Sequence, residues 1–462
     1  MTYPKIYLKP KKEESVLRLH PWVFSGAVAR IDGQPEEGAV VEVFAADGRL
    51  LGVGHYQIGS IAVRLLAFDE VTIDHAFWLD RLRSAYNLRQ MLGLDHAPEN
   101  DTYRLVYGEG DRLPGLVIDM YADTAVMQAH SVGMHHARHD IATALRELLG
   151  DRLQAIYYKS DGTLPFKAAL DHTDEYLLGR YSGGEHLATE RGLRFGIDWL
   201  KGQKTGFFVD QRENRRLLEQ YAGGRTVLNM FCYTGGFSVY AMRGGARAVH
   251  SVDSSSKAVY LTERNVALNF PDDDRHRAFA EDAFDYLRRA GNDYDLIILD
   301  PPAFAKHRDV LRNALQGYRK LNAAAFEKIR PGGILFQAFL LWLRCTGLEH
   351  SGHHVGHHHG GSAAQLVSEL REFGQQLPAG DPEMFGELMD SGTRGQLGGS
   401  GFLIGFGHVR LLRAHWRQLQ RGSPRLSRLK VNRKHRSLRG RVHRRGVQPR
   451  AASRQHRRCL TW

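Results

Sequence analysis

Three apolar runs, each closing on a different kind of residue, constrain this chain more than anything else in it. The first is Thr226-Val227-Leu228-Asn229-Met230-Phe231-Cys232-Tyr233-Thr234-Gly235-Gly236-Phe237-Ser238, an apolar strand that breaks into a glycine turn. The second ends at Val252-Asp253, and the third is Leu296-Ile297-Ile298-Leu299-Asp300-Pro301-Pro302. Short apolar runs separated by helical lengths read as buried parallel strands of an α/β sheet. Ligands of such sheets lie outside the carboxyl ends of the strands, which is where the glycine turn, Asp253 and Asp300 fall. A glycine turn lets a ligand approach the backbone closely, and an acid about twenty residues further on suits a ribose diol.

The glycine turn alone is ordinary α/β punctuation, and a dinucleotide enzyme would share both the turn and the acid. Two features point elsewhere. The turn lacks the G-x-G-x-x-G spacing that fits a pyrophosphate, and Asp300-Pro301-Pro302 has no standard role in hydride transfer. What remains is an adenosine-bearing donor without pyrophosphate next to a planar substrate, the pairing expected of a methyltransferase.

With 462 residues the chain has room for two or three domains with real cores. No stretch approaches eighteen uninterrupted apolar residues and Met1-Thr2-Tyr3-Pro4-Lys5 has no apolar signal core, so a cytoplasmic protein without a membrane span is expected. Three cysteines, Cys232, Cys345 and Cys459, are too few and too scattered for a disulfide framework or a metal knuckle. The net charge of +12 suggests nucleic acid until its distribution is followed. No Asp or Glu follows Asp390, whereas 19 of the 63 Lys and Arg do, so residues 1–390 hold 44 basic and 51 acidic side chains. The globular part is therefore net negative, and its case for RNA must rest on something other than bulk charge.

Residues 1–72 read as a small β-rich domain. Residues 39–44 and 61–66 are strand-like, and Asp47-Gly48 turns a hairpin into Leu50-Leu51-Gly52-Val53. The aromatics of His20-Pro21-Trp22-Val23-Phe24-Ser25-Gly26 are expected in the core rather than at a ligand. Residues 73–195 form a linking αβ section, with helical spacing through Phe77, Leu79, Leu82, Tyr86, Leu88 and Leu92 and a buried strand within residues 113–119. Residues 196–336 carry the three runs above. Residues 337–462 form a His-, Arg- and Gly-rich basic tail, expected to be irregular or disordered.

Five blocks together carry a resemblance: His20-Pro21-Trp22-Val23-Phe24-Ser25-Gly26, Leu113-Pro114-Gly115-Leu116, Lys204-Thr205-Gly206-Phe207-Phe208-Val209-Asp210-Gln211-Arg212, Asn229-Met230-Phe231-Cys232-Tyr233-Thr234-Gly235-Gly236 and Asp300-Pro301-Pro302-Ala303-Phe304-Ala305-Lys306. From about residue 5 to 336 the chain resembles the bacterial large-subunit ribosomal RNA cytosine-5 methyltransferases. The resemblance implies an N-terminal PUA domain for RNA, a linking αβ domain and a Rossmann-like class I domain using S-adenosyl-L-methionine. Ribosomal RNA is then the expected partner, with room for a homodimer.

In that scheme Gln211, Asn229, Phe231, Tyr233, Thr234, Gly235, Gly236, Asp253, Asp282 and Asp300 line the donor site. Lys204, Phe207, Phe208, Arg215 and Lys306 face RNA, and Asp300 with Phe304 holds the target base. The residues themselves leave some of this open. Phe207 and Phe208 suit a stacked base but equally suit packing against the sheet, and Asp282 unaided reads as a helix N-cap. Cys232 reads as a small buried filler. A methyltransferase acting on a base amino group or on guanine would need no cysteine, and a noncatalytic RNA-binding protein would need only the N-terminal domain and the basic tail.

Methylating carbon 5 of a pyrimidine requires a thiolate to add at carbon 6, so that carbon 5 gains enamine character. In the resembled family that thiol lies in a Ser-Cys-Ser segment at the end of the strand after Pro331-Gly332-Gly333. Here the strand continues Gln337-Ala338-Phe339-Leu340-Leu341-Trp342-Leu343-Arg344-Cys345. If Phe339-Leu340-Leu341-Trp342 is encoded TTC-CTG-CTC-TGG, reading one base forward gives Ser-Cys-Ser-Gly. The composition changes at the same place, to His353-His354-Val355-Gly356-His357-His358-His359 and then an acid-free Arg and His tail. This reads as a change of frame that removed the nucleophile. Cys345 is a poor substitute in its Leu-Arg-Cys-Thr setting, and the histidine run reads as adventitious rather than as a native metal site. An RNA-binding arm over residues 433–458 is the rival reading of the tail.

Overall fold

The computed structural model describes residues 3–95, 98–165, 174–181, 186–302, 311–339 and 408–413. The N-terminal section contains β1 (Lys5–Leu8), α1 (Glu14–Leu17), β2 (Trp22–Phe24), β3 (Val28–Asp32), β4 (Val40–Phe44), β5 (Leu50–Tyr56) and β6 (Ile61–Ala67). They make one six-stranded sheet in the order β2-β6-β5-β4-β1-β3. Its apolar positions alternate inward, so Ile6, Leu8, Val41, Val43, Val63 and Leu65 are buried in one cluster. Gly48 takes φ +87° between β4 and β5, as the Asp47-Gly48 hairpin requires. The aromatic block departs from expectation. Val23 is buried, but Phe24 is 42% exposed and Trp22 is half-buried. The strand is only three residues long, and its alternation leaves one apolar position for the core.

The linking section begins with α2 (His75–Met91), whose buried face is Phe77, Trp78, Leu82, Ala85, Tyr86 and Arg89. Of the expected set Phe77, Leu82 and Tyr86 are buried, whereas Leu88 and Leu92 are exposed because they fall outside the arc that faces the sheet. It continues through β7 (Thr102–Tyr107), β8 (Leu116–Tyr121), β9 (Thr124–Ala129), α3 (Val132–His136), α4 (Arg138–Leu149), β10 (Ala155–Tyr158) and β11 (Glu175–Leu178). The five strands form a sheet in the order β11-β10-β9-β8-β7, and α2 and α4 share one apolar cluster with it. A two-stranded hairpin of β12 (His186–Glu190) and β13 (Leu193–Ile197) leads onward.

The last section comprises α5 (Arg212–Ala222), β14 (Thr226–Met230), α6 (Gly236–Arg243), β15 (Ala248–Asp253), α7 (Ser256–Asn269), β16 (His276–Ala280) and α8 (Ala283–Arg289). It ends with β17 (Tyr294–Leu299), α9 (Leu311–Lys328), β18 (Ile329–Phe339) and β19 (His408–Arg413). Strand order is β16-β15-β14-β17-β18-β19, with all pairs parallel except the last. The first three strands build outward on one side of β14 and β17 starts the other side. The crevice of an open α/β sheet therefore opens between the carboxyl ends of β14 and β17. Val227, Leu228, Ile297, Ile298, Leu335 and Phe336 are fully buried, which is why these strands read as unbroken apolar runs.

The sheet also departs from the expectation of an irregular tail from residue 337. The strand runs on to Phe339, and His408–Arg413 pairs along it from Ile334 to Phe339. Its alternation in His-Val-Arg-Leu-Leu-Arg is short and broken by Leu411-Leu412, and it lies within a glycine-rich stretch, so it does not stand out in the sequence.

Candidate active site

Sheet register brings the candidate acids level. Met230 pairs with both Val252 and Leu299, so Phe231, Asp253 and Asp300 are the next residues on three adjacent strands. Asp253 itself pairs with Ala280, which places Asp282 just past the end of the fourth strand. Along the carboxyl edge the order is Asp282, Asp253, the loop of residues 231–236, and Asp300.

The loop owes its shape to left-handed backbone at Phe231 (φ +59°), Tyr233 (φ +49°) and Gly235 (φ +77°). Its glycines answer to packing behind the loop. A Cβ on Gly235 would sit 2.6 Å from Thr262 Cγ2, and one on Gly236 would sit 3.1 Å from Arg215 Cδ. Asn229, Thr234 and Gly235 are likewise enclosed. Asn229 Nδ2 donates to Ser238 Oγ at 2.8 Å, and the Thr234 carbonyl accepts from Asn265 Nδ2 at 2.8 Å. These three shape the loop from behind, while Phe231, Tyr233 and Gly236 are half-buried at its surface. Asn229 Oδ1 is buried with no hydrogen-bond partner among the described residues.

Asp253 accepts from the Tyr233 N–H at 3.0 Å through Oδ2 and from the Ser255 N–H at 2.9 Å through Oδ1. Two backbone donors thus hold a half-buried carboxylate at the strand end, leaving lone pairs for hydroxyl donors. Asp282 caps α8, its Oδ1 accepting from the N–H groups of Phe284 at 2.8 Å and Asp285 at 3.2 Å. The helix-cap reading is thus realised, and Asp282 is exposed beside the row. Gln211 is 4% exposed and accepts from Asn214 Nδ2, so its amide is engaged within α5's first turn.

Asp300 carries a large electrostatic perturbation. Burial pushes its carboxyl up to about 7, and the negative charge of Asp210 adds to the shift against the opposing pull of Lys204 and Arg215. A carboxyl that holds its proton near neutrality can donate to, or accept from, a heterocycle nitrogen. Cys232 is the reverse case. It is buried, its thiol is pushed up to about 12 by desolvation, and it lies 3.6 Å from Thr262 Oγ1. Such a thiol is a filler, as expected, and no nucleophile.

The block of residues 204–212 divides sharply. Lys204 Nζ is exposed and lies 4.9 Å from the centroid of the Phe208 ring, which is half-buried and edge-on to Tyr233 at 5.1 Å. Phe207 instead is 3% exposed and packs on Phe195 at 4.9 Å, so the packing alternative holds for it. Arg215 is also removed from an RNA-facing role. It is 2% exposed, pairs through two bonds of 2.8 and 2.7 Å with the fully buried Glu190, and donates to the Phe208 carbonyl at 2.9 Å. Burial alone would lower its pKa, but Glu190 more than offsets that and holds it raised. A charge so committed cannot leave for a phosphate without stranding Glu190. Phe304, Lys306 and Cys345 lie outside the described residues.

Sequence reading missed the groups that hold this block. Thr205 Oγ1 donates to the fully buried Asp119 at 2.6 Å, and Asp119 also takes two bonds of 2.8 and 3.0 Å from Arg104. Tyr121 Oη lies 2.9 Å from Thr205 Oγ1. Lys159 Nζ donates to the Gly202 carbonyl at 2.6 Å. The only signal available was a lone acid, Asp119, in an otherwise apolar strand.

Known proteins share this arrangement of domains. A family described as a PUA-like domain matches residues 6–68, and one described as S-adenosylmethionine-dependent methyltransferase matches residues 162–340. Ribosomal RNA large subunit methyltransferase I of Aeromonas salmonicida is 39% identical over 348 residues, which is 74% of this chain and 86% of that protein. The protein of the same name from Tolumonas auensis is 38% identical over 349 residues, with the same two shares. The chain belongs to the ribosomal RNA large subunit methyltransferase I family. Among solved structures, SMU.776, assigned as a methyltransferase and solved with SAH, is 25% identical with a TM-score of 0.62, covering 73% of this chain and 86% of that one. A Streptococcus mutans protein assigned as a SAM-dependent methyltransferase shares the fold, with a TM-score of 0.61 at 24% identity over 73% and 85% of the two chains.

The family's fold is thus the one expected, a PUA-like domain followed by an S-adenosylmethionine-dependent methyltransferase domain. Among the described residues no helix is long and apolar enough to cross a membrane, and no group of His, Cys, Asp or Glu is placed to hold a metal. The histidine run of residues 353–359 lies outside the described residues.

Proposed function

We propose that this chain binds S-adenosyl-L-methionine and large-subunit ribosomal RNA on a scaffold built to form 5-methylcytosine, and that it lacks the thiol that completes the reaction. The observation that carries the donor half is the row of Asp282, Asp253, the loop and Asp300 on successive strand ends. The row fits an adenosyl donor by its chemistry: Asp282 stands where an adenine amino group would find an acceptor, and Asp253 is held ready for a ribose diol. Phe231, Tyr233 and Gly236 offer the loop surface between them. The donor supplies an electrophilic methyl group on a sulfonium.

On the substrate side Lys204 and Phe208 present a cation and a ring at the mouth of the crevice, suited to a phosphate and a base. Asp300 hydrogen-bonds the cytosine ring nitrogen and moves its proton there, a role suited to a carboxyl poised near 7. Carbon 5 still needs a thiolate at carbon 6. Of the three cysteines, Cys232 is buried behind the loop with its thiol pushed to about 12, and Cys345 and Cys459 come after the point where the family's strand end is lost.

With ribosomal RNA as substrate the working compartment is the cytoplasm, and the mass in solution decides between monomer and homodimer. Titration calorimetry with S-adenosylhomocysteine tests the donor site. The wild-type chain binds it, and Asp253→Ala weakens binding by about tenfold or more, the loss of roughly 1.5–3 kcal/mol for hydrogen bonds to a charged acceptor. Equal affinity of the two proteins would remove Asp253 from the site.

A further inference from the structure

Tyr233 touches both halves of the site, and every polar atom it owns is engaged. Its N–H donates to Asp253 Oδ2 at 3.0 Å and its carbonyl accepts from Thr262 Oγ1 at 2.9 Å. Its hydroxyl accepts from the Gln203 N–H at 2.9 Å and donates to the Gly206 carbonyl at 3.2 Å. Its ring meets Phe208 edge-on. The two backbone groups gripped by the hydroxyl flank Lys204, which itself adopts φ +47°. Gly202 makes the approach feasible, since a Cβ there would lie 3.0 Å from the Tyr233 hydroxyl and 2.1 Å from the Asp198 carbonyl oxygen.

We infer that Tyr233 is a positioning residue that couples the donor site to the RNA-facing turn, so that donor and RNA each tighten the other's binding. The inference rests on the reading of Asp253 as the donor's ribose acceptor.

The physical basis is a strained residue pinned at both ends. Tyr233 sits at φ +49°, a left-handed conformation that costs a side-chain-bearing residue about 1–2 kcal/mol and persists only where surrounding bonds impose it. At one end the bond is to Asp253, and a ribose bound there fixes the carboxylate that fixes the Tyr233 N–H. At the other end the hydroxyl sets the turn of residues 203–206, which carries Lys204 and leads into Phe208. Ordering either end spares the other ligand part of that cost, and linkage makes the benefit reciprocal. A second bridge runs nearby, from Lys257 Nζ to Asp198 Oδ2 at 2.7 Å. It is an ion pair with Lys257 about half exposed, contributes little, and does not touch the loop of residues 231–236.

The test is the ratio of S-adenosylhomocysteine dissociation constants measured on the full chain without and with a saturating large-subunit ribosomal RNA transcript. Wild type gives a ratio of about five or more, the lower range of allosteric couplings. Tyr233→Phe keeps the ring and loses the hydroxyl, and its ratio falls below about two, while Lys257→Met keeps the wild-type ratio. A general loss of stability weakens both constants together and leaves the ratio alone. Independently, S-adenosylhomocysteine alone slows amide exchange at Gln203 and Gly206 in the wild-type chain. A wild-type ratio of one, an unchanged ratio in Tyr233→Phe, equal loss in Lys257→Met, or unaltered exchange at residues 203–206 would each overturn the coupling while leaving the donor site standing. Failure of wild type to bind S-adenosylhomocysteine at all would instead take down the donor-site reading, and the coupling with it.

Discussion

Asp300 shows how one side chain can be costly to the fold and, on the proposed reading, useful to the chemistry. Its carboxyl is pushed from an ordinary 3.8 to about 7 by burial and by Asp210, so folding takes up a proton between those limits. The unfolded chain releases that proton at lower pH, so stability falls as pH rises from about 4 to about 7 and is flat above. Asp300→Asn removes the charge and the dependence. Thermal unfolding should show the Asp300→Asn substitution raising the midpoint at pH 8, with the gain shrinking toward pH 4, whereas a constant difference at all pH values would mean the carboxyl is not destabilised by its setting. At this scale the sequence was only partly legible. The candidate acids were visible because each ends an apolar run. The fate of Asp282 was visible too, since an acid two residues before Phe284 and just ahead of a helix is a capping position. Arg215 was misread because its partner, Glu190, lies 25 residues away in the chain and pairing at that distance leaves no local pattern.

At the scale of elements the reading succeeded where periodicity or turn chemistry dictated the outcome. The strands β14, β15 and β17 and the helix α2 follow from hydrophobic pattern, and the β4–β5 hairpin follows from Asp47-Gly48. What escaped was the support behind each element. The glycines of the donor loop look like openings for a ligand, yet Gly235 is required by Thr262 of α7 and Gly236 by Arg215 of α5. Gly235→Ala forces a Cβ to 2.6 Å from Thr262 Cγ2 at φ +77°, and urea unfolding should show a loss of about 2 kcal/mol. An unchanged midpoint with an unchanged slope would mean the loop relaxes freely and is not braced by α7. The buried set Arg104, Asp119, Thr205 and Tyr121 escaped for the same reason as Arg215: it joins the linking section to the turn of residues 204–208 between positions 86 and 84 residues apart in the chain.

Across the whole molecule, the family's PUA-like and methyltransferase domains are present, and the match to the methyltransferase family ends at residue 340. The strand ends in Gln337-Ala338-Phe339, where the resemblance leads one to expect Ser-Cys-Ser. The sheet still gains an antiparallel neighbour in His408–Arg413, which covers the edge without restoring a thiol to it. On the proposed reading, donor binding and cytosine chemistry are separated in one chain, because the first would depend on Asp253 and the residue 231–236 loop and the second on a cysteine at the end of β18. The decisive measurement is nucleoside mass spectrometry of large-subunit ribosomal RNA incubated with the purified chain and S-adenosyl-L-methionine. The account predicts no 5-methylcytosine from a protein that calorimetry shows to bind S-adenosylhomocysteine. Formation of 5-methylcytosine by this chain, abolished by Cys345→Ala, would contradict it.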